Sequence, residues 1–148
     1  MAGDLASNRN EILTLISEAW NELPANLDRF PAQSALVIAM TDGDGVPKQG
    51  NRNAWARVTV QHTGGAPRSI SGRRYLNTGV CIIQVHVFRS VTNDDDLVQR
   101  AASYLAGRLK QHRGSVGFTQ VIAVERPISN GFAQCDVQAL FEWEEFKR

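Results

Sequence analysis

The chain predicts an α+β fold: a mostly antiparallel β-sheet with two α-helices packed on one face, in the order α-β-β-β-α-β-β. Two segments repeat apolar residues at helical spacing, several others alternate apolar and polar residues with period two, and short turns join the alternating segments. Strands joined by short turns pair antiparallel, and both helices must then bury their stripes on the same apolar sheet face. At 148 residues the chain has the length of one domain, and residues 1–148 are read as such.

The first helix is expected from about Asn8 to Leu23, where Ile12, Leu13, Ile16, Ala19, Trp20 and Leu23 form one stripe. Ser7 or Asn8 suits its N-terminal cap, with Glu11 three residues after Asn8 as the capping carboxylate. Pro24 is expected to close it. Residues 25–53 read as a loop or arm, broken by a short apolar run, Ala35 to Met40, that suits a strand. After it TDGDGVPKQGN is dense in turn formers.

From Ala54 to His62 the pattern alternates: Ala56, Val58 and Val60 point one way, Arg57, Thr59 and Gln61 the other. Gly64, Gly65 and Pro67 then read as a turn, and Ser69 to Ser71 as a short returning strand. Asn77 to Arg89 is the strongest strand, with Cys81, Ile83, Val85 and Val87 on one face and Val80, Ile82, Gln84, His86 and Phe88 on the other. A second helix follows the capping residues Asn93 and Asp94, with Asp95 and Asp96 at the positive end of its dipole. Its stripe is Leu97, Ala101, Ala102, Leu105 and Leu109, and Arg108, Lys110 and His112 suit its C-terminal end. Two strands close the chain, about Val116 to Glu125 and Phe132 to Phe146, with Pro127, Asn130 and Gly131 in the turn between them. In the last strand Ala133, Cys135, Val137, Ala139, Phe141 and Trp143 share one side, and Gln134, Asp136, Gln138, Glu142 and Glu144 the other.

No residues gather into recognisable catalytic or metal-binding chemistry. His62, His86 and His112 fall at a strand end, within a strand and at a helix end, with no carboxylate or cysteine at a pairing distance in sequence. Asp42-Gly43-Asp44-Gly45 begins like a calcium loop, but Val46 holds the fifth position, Pro47 the sixth and Asn53 the twelfth, where oxygen ligands, glycine and glutamate belong. A solvated turn is the better reading. Glycine-rich phosphate loops and nucleophile elbows do not occur. The expectation is therefore a non-enzyme without metal or cofactor. Cys81 and Cys135 both lie in apolar runs and read as small buried hydrophobes, with a cross-strand disulfide as the alternative. The opening MAGDLASNRNE lacks the apolar core of a signal peptide, and no apolar run is long enough for a bilayer, so the reading is a reducing, cytoplasm-like compartment with no membrane.

Charge is distributed unevenly. The formal net charge is +1, yet no aspartate or glutamate occurs from Gly45 to Asn93, where Lys48, Arg52, Arg57, Arg68, Arg73, Arg74 and Arg89 stand. Acidic residues flank that stretch, with Glu142 and Glu144 in the terminal EWEEF. A basic stretch of this kind admits three readings: a solvated sheet face, contact with nucleic-acid phosphates, or contact with the acidic last strand of a neighbouring copy. The third favours head-to-tail association, which closes into rings.

The succession of NAWARVTV, TGVCIIQVHVF, DDDLVQRAASYLAGRL, VGFTQVIAVERP and FAQCDVQALFEWE resembles the phage tail terminator-like family, the tail completion proteins of long-tailed bacteriophages. The likeness covers roughly Trp55 to Glu145, with the first helix in a compatible place, while Phe30 to Asn53 departs from it in length. The resemblance implies a homo-oligomeric ring, commonly a hexamer, on the last ring of the tail tube, where it ends tube polymerisation. It also implies a joint to a head-completion or neck protein, with DNA passing through the lumen without specific binding. The location implied is the tail–neck region of the virion, and the host cytoplasm during assembly. Candidate interface or lumen residues are Arg57, Arg68, Arg73, Arg74, Arg89, Glu142 and Glu144. Two alternatives stand beside this one: another neck or minor tail protein of the same architecture, and a small non-specific nucleic-acid-binding domain.

Overall fold

A computed structural model describes residues 5–27, 30–31, 34–39, 54–67, 74–88, 96–129 and 131–146. Its elements follow the predicted order: α1 (Leu5–Asn26), β1 (Ser34–Ala39), β2 (Ala54–Pro67), β3 (Arg74–Phe88), α2 (Asp96–Gln111), β4 (Gly117–Ser129) and β5 (Phe132–Phe146). The five strands form one sheet in the order β1-β2-β3-β5-β4. All neighbours pair antiparallel except β1 and β2, which run parallel. Residues 40–53 join those two, a length that suits a parallel crossover rather than a hairpin.

One core holds the molecule together. Ala54, Ala56 and Val58 of β2, Cys81 through Val87 at alternate positions of β3, and Ala133 through Trp143 at alternate positions of β5 all face the helices. Against them α1 packs Ile12, Leu15, Ile16, Ala19, Trp20 and Leu23, and α2 packs Leu97, Val98, Ala101, Ala102, Leu105, Ala106 and Leu109. Leu97, Leu105 and Leu109 are no more than 2% exposed. Each contributes about 2 kcal/mol by transfer from water. Phe30, just beyond α1, returns to this core and meets Trp20 edge-on at 5.6 Å. Both cysteines are free and buried on the inner face. Cys81 opposes Ala139 and Cys135 opposes Val85, so the thiols are offset by four register positions, about 13 Å, too far for a disulfide. Burial pushes the Cys81 thiol up to about 12 and raises that of Cys135 as well.

Several boundaries differ from the sequence reading, among them the start of β3, at Arg74 rather than Asn77. Helix α1 begins earlier and runs through Pro24. That proline sits in the last turn, where its missing N–H forfeits one bond and Leu27 N still donates to Leu23 O at 2.8 Å. Gly64, Gly65 and Pro67 belong to β2 rather than to a turn, because the strand absorbs them through a register shift between His62 and Gly64. Pro67 is tolerated there because β1 pairs with β2 only from Ala54 to Thr59, which leaves that end of β2 an edge. Pro127 lies in β4, also an edge strand, beside a register shift between Arg126 and Ser129. The reversal into β5 uses Gly131 at φ 80°, a left-handed conformation that glycine adopts freely. Ser69 to Ser71, the helix cap Asn93 to Asp95, and Asp42 to Gly45 lie outside the described residues.

Among the described residues no helix is long and apolar enough to cross a membrane.

Gly79, on the inner face, has no room for a side chain. A Cβ there would stand 2.6 Å from the carbonyl oxygen of Gln61 and would run into the ring of Phe141. Backbone cannot yield as a side-chain tip can. Gly79→Ala is expected to destabilise the fold by about 2 kcal/mol through overpacking, read as a lower urea midpoint at unchanged m.

Candidate assembly surface

Both helices occupy one side of the sheet, and no described element covers the other. Cross-strand register arranges that second face in rows. Trp55, His86, Gln134 and Arg126 form the first row, and Arg57, Gln84, Asp136 and Val124 the second. Thr59, Ile82, Gln138 and Ile122 follow, then Gln61, Val80, Leu140 and Gln120. Thr78 with Glu142, and Leu76 with Glu144, complete it.

The face changes character along its length. At one end it is aromatic: Trp55 stacks on His86 with ring centroids 3.9 Å apart and planes within 5°. Phe132 meets both edge-on, and Phe88 lies 5.1 Å from Phe132. Trp55 is 5% exposed although it stands apart from the main core. The next row is ionic. Asp136, 2% exposed, accepts a hydrogen bond from Arg126 Nε at 2.9 Å and one from Gln134 Nε2 at 3.0 Å. Trp55 Nε1 and Arg57 Nε, two positions apart on β2, are buried donors with no hydrogen-bond partner among the described residues. Farther along come the exposed side chains Ile122 and Leu140, 44% and 46% accessible, and then the acidic end at Glu142 and Glu144.

Of the seven residues expected at an interface or lumen, the structure brings Arg57, Glu142 and Glu144 to this one face. Arg57 and Glu142 stand about 20 Å apart along the strands, since their rows are separated by six residues of β5. Arg68, Arg73, Arg89 and the side chain of Arg74 lie outside the described residues. β5 lies inside the sheet: it bonds to β3 along its length and to β4 as far as Glu142, so Glu142 is flanked on both sides, while no described strand pairs with β5 beyond Glu142 on the β4 side.

A second polar cluster escaped the sequence reading. Glu11 does not cap α1. Its carboxylate reaches across to the segment after α2, accepting from Ser115 Oγ at 2.7 Å and Val116 N at 2.9 Å, with His112 Nε2 at 2.8 Å. Buried Asn8 accepts from Ser115 Oγ at 3.0 Å. Burial raises the Glu11 carboxyl, but the hydrogen bonds from His112, Ser115 and Val116 and the charge of His112 outweigh it and hold the group below the ordinary range. Glu22 and Arg108 add a surface pair at 2.9 Å between the same helices. This cluster fixes α1 to the end of α2. It flanks an open groove lined by Thr14, Glu18 and Arg108. The one signal for it was Asn8, a polar residue one turn before Ile12 on the apolar stripe, which has to find a partner. His62 is exposed and tilts against Trp143 at 5.6 Å.

Comparison with known proteins finds no family model that matches this chain and no curated protein significantly similar to it.

Two pH effects follow from these clusters. Burial lowers His86 from 6.5 to about 4, partly offset by the Asp136 charge, so the unfolded chain binds the proton more readily. Stability from His86 is complete above pH 6.5 and is lost as pH falls towards 4. Discounted for partial exposure, the loss is about 1–2 kcal/mol. In urea titrations at pH 7 and pH 4.5, His86→Phe should shrink the difference seen in the native chain; an equal difference would show that another group carries it. Glu11→Ala should cost about 2 kcal/mol at pH 7 by orphaning the Ser115 and Val116 donors. That penalty should fade below the ordinary carboxylate range, as the native Glu11 itself protonates.

Proposed function

We propose that this chain is a structural assembly subunit, copies of which form a ring that caps the tail tube of a long-tailed bacteriophage. In this reading the ring ends tube polymerisation, joins the tail to a head-completion or neck protein, and lets DNA pass through its lumen. The observation that carries the reading is the one-sided sheet. The core lies on the helix side, and among the described residues no element covers the opposite face or pairs with the outer side of β1 or β4, which suits them to contacts between molecules. The likeness of segments from Trp55 to Glu145 to the tail terminator-like family supports the identity of the assembly.

The uncovered face also suits a passage for DNA better than a site that holds it. Arg126 is neutralised by Asp136, the Nε of Arg57 is buried, and Glu142 and Glu144 carry the opposite sign. Tight non-specific binding needs cations free to displace counterions from phosphates. A nucleic-acid-binding domain therefore finds little support among the described residues of the basic stretch.

Native mass spectrometry across a range of concentrations distinguishes these readings. A closed particle of one copy number is expected, with no retardation of duplex DNA at physiological salt. A chain that stays solitary at high concentration, or that retards DNA with a steep salt dependence, would refute the proposal.

A further inference from the structure

We infer that neighbouring copies join by pairing the open edge of β4 with the open edge of the next copy's β1, antiparallel, so that one sheet runs on from subunit to subunit. The inference rests on the ring reading for closure and on strand geometry for the contact.

Among the described residues β1 and β4 are the two edges of the sheet. β1 runs parallel to β2, β3 opposes β2, β5 opposes β3, and β4 opposes β5. The two edge strands therefore run in opposite directions. Copies in a head-to-tail ring keep a common orientation, so β4 of one copy meets β1 of the next antiparallel, the more stable pairing. Had the edges run the same way, the same contact would be parallel.

The sequence of β4 suits this use. Edge strands normally carry lysine, proline or bulges that prevent pairing. β4 has such features only at its ends, with register shifts between Phe118 and Gln120 and between Arg126 and Ser129, the second beside Pro127. From Gln120 to Arg126 it pairs with β5 without interruption, and the middle of that run, Val121-Ile122-Ala123-Val124, carries no charge. β1 is six residues of similar character, SALVIA, also uncharged. A seven-residue regular run opposite six gives a match of length, and neither outer edge has a partner among the described residues. Ile122 is 44% exposed and Ala123 is exposed as well, so this part of β4 is open to an incoming strand. Main-chain bonds would supply the adhesion, as in other cases of strand addition.

Ring closure then orients the subunit. The helix layer adds about 10 Å of thickness to one face, and a continuous sheet accommodates it on the outside of the curve, where the circumference is larger. The rows from Trp55 to Glu142 would turn towards the lumen.

Hydrogen exchange read by mass spectrometry on the full chain tests the pairing. In the assembled particle, amides of 120–126 and of 34–39 should exchange roughly tenfold or more slowly than in the same chain diluted below its assembly concentration. Ile122→Lys with Ala123→Lys, two exposed positions, should leave far-UV circular dichroism and melting unchanged and hold the chain as a single copy. A ring whose β4 amides gain no protection would overturn the edge pairing while leaving the ring reading intact. So would a two-copy particle with β4 protected and β1 not, which is β4 pairing with itself across a twofold axis. A folded double variant that assembles like the native chain also overturns it; should the variant fail to fold, the dilution series alone decides. A native chain that never assembles defeats both readings together.

Discussion

Among the described residues both helices cover the same side of the sheet, and the rest of the molecule depends on that constraint. With both helices on a single face, each strand of the antiparallel part has to send every second side chain into the same core. A one-residue slip would expose Val58, Ile83 and Val137 together, because they stand in one continuous line of paired residues. Register is thus fixed by burial, and the residues between the core positions are released from packing duty. Those released positions are where Arg57, Gln84, His86 and Asp136 collect. The chemistry of the second face is a consequence of how the first face is filled.

Much of this was legible in the chain itself. The inward sets of β3 and β5 were predicted residue for residue, and those of β2 and α2 in the main, with Ala54, Val98 and Ala106 missed, since period two and period 3.6 are direct imprints of burial. Prolines and glycines misled. Pro24, Gly64, Gly65 and Pro127 carry strong local signals for interruption, yet each sits where an element tolerates it: a last helical turn, a bulge, or an unpaired edge. Edges and bulges are properties of the assembled sheet, so local preference cannot report them. The parallel pairing of β1 was hidden for the same reason.

The candidate surface was half legible. That Arg57, Glu142 and Glu144 share a face follows from the alternation together with register, and the alternation alone was visible. The buried Asp136 with Arg126, ten residues apart on paired strands, required the register of β4 on β5. Glu11 and His112, 101 residues apart, required the whole tertiary arrangement. A local reading assigns Glu11 to the nearest unsatisfied donors, at the start of its own helix. In the folded chain the backbone of Ser115 and Val116 competes for the same carboxylate and wins, since those donors are partly buried and have no helix of their own to satisfy them.

The balance of charge on the uncovered face bears on what that face can do. An ion pair on it is internal: Arg126 leans on Asp136, and Gln134 completes the carboxylate. A side chain committed within its own subunit cannot also serve as a strong anchor for a partner or for phosphate. What the face offers beyond that pair is modest and spread out, with Ile122 and Leu140 as small apolar contacts and Glu142 at the far end. A stable permanent assembly needs more than this, for scattered surface groups give little adhesion. The main-chain groups on the outer sides of β1 and β4, which pair with no described strand, can supply it, because such groups find a partner most completely in another strand. In the edge-paired ring proposed above, strength would come from the backbone at the edges, and the face between them would be free to be smooth, mixed in charge and weakly binding.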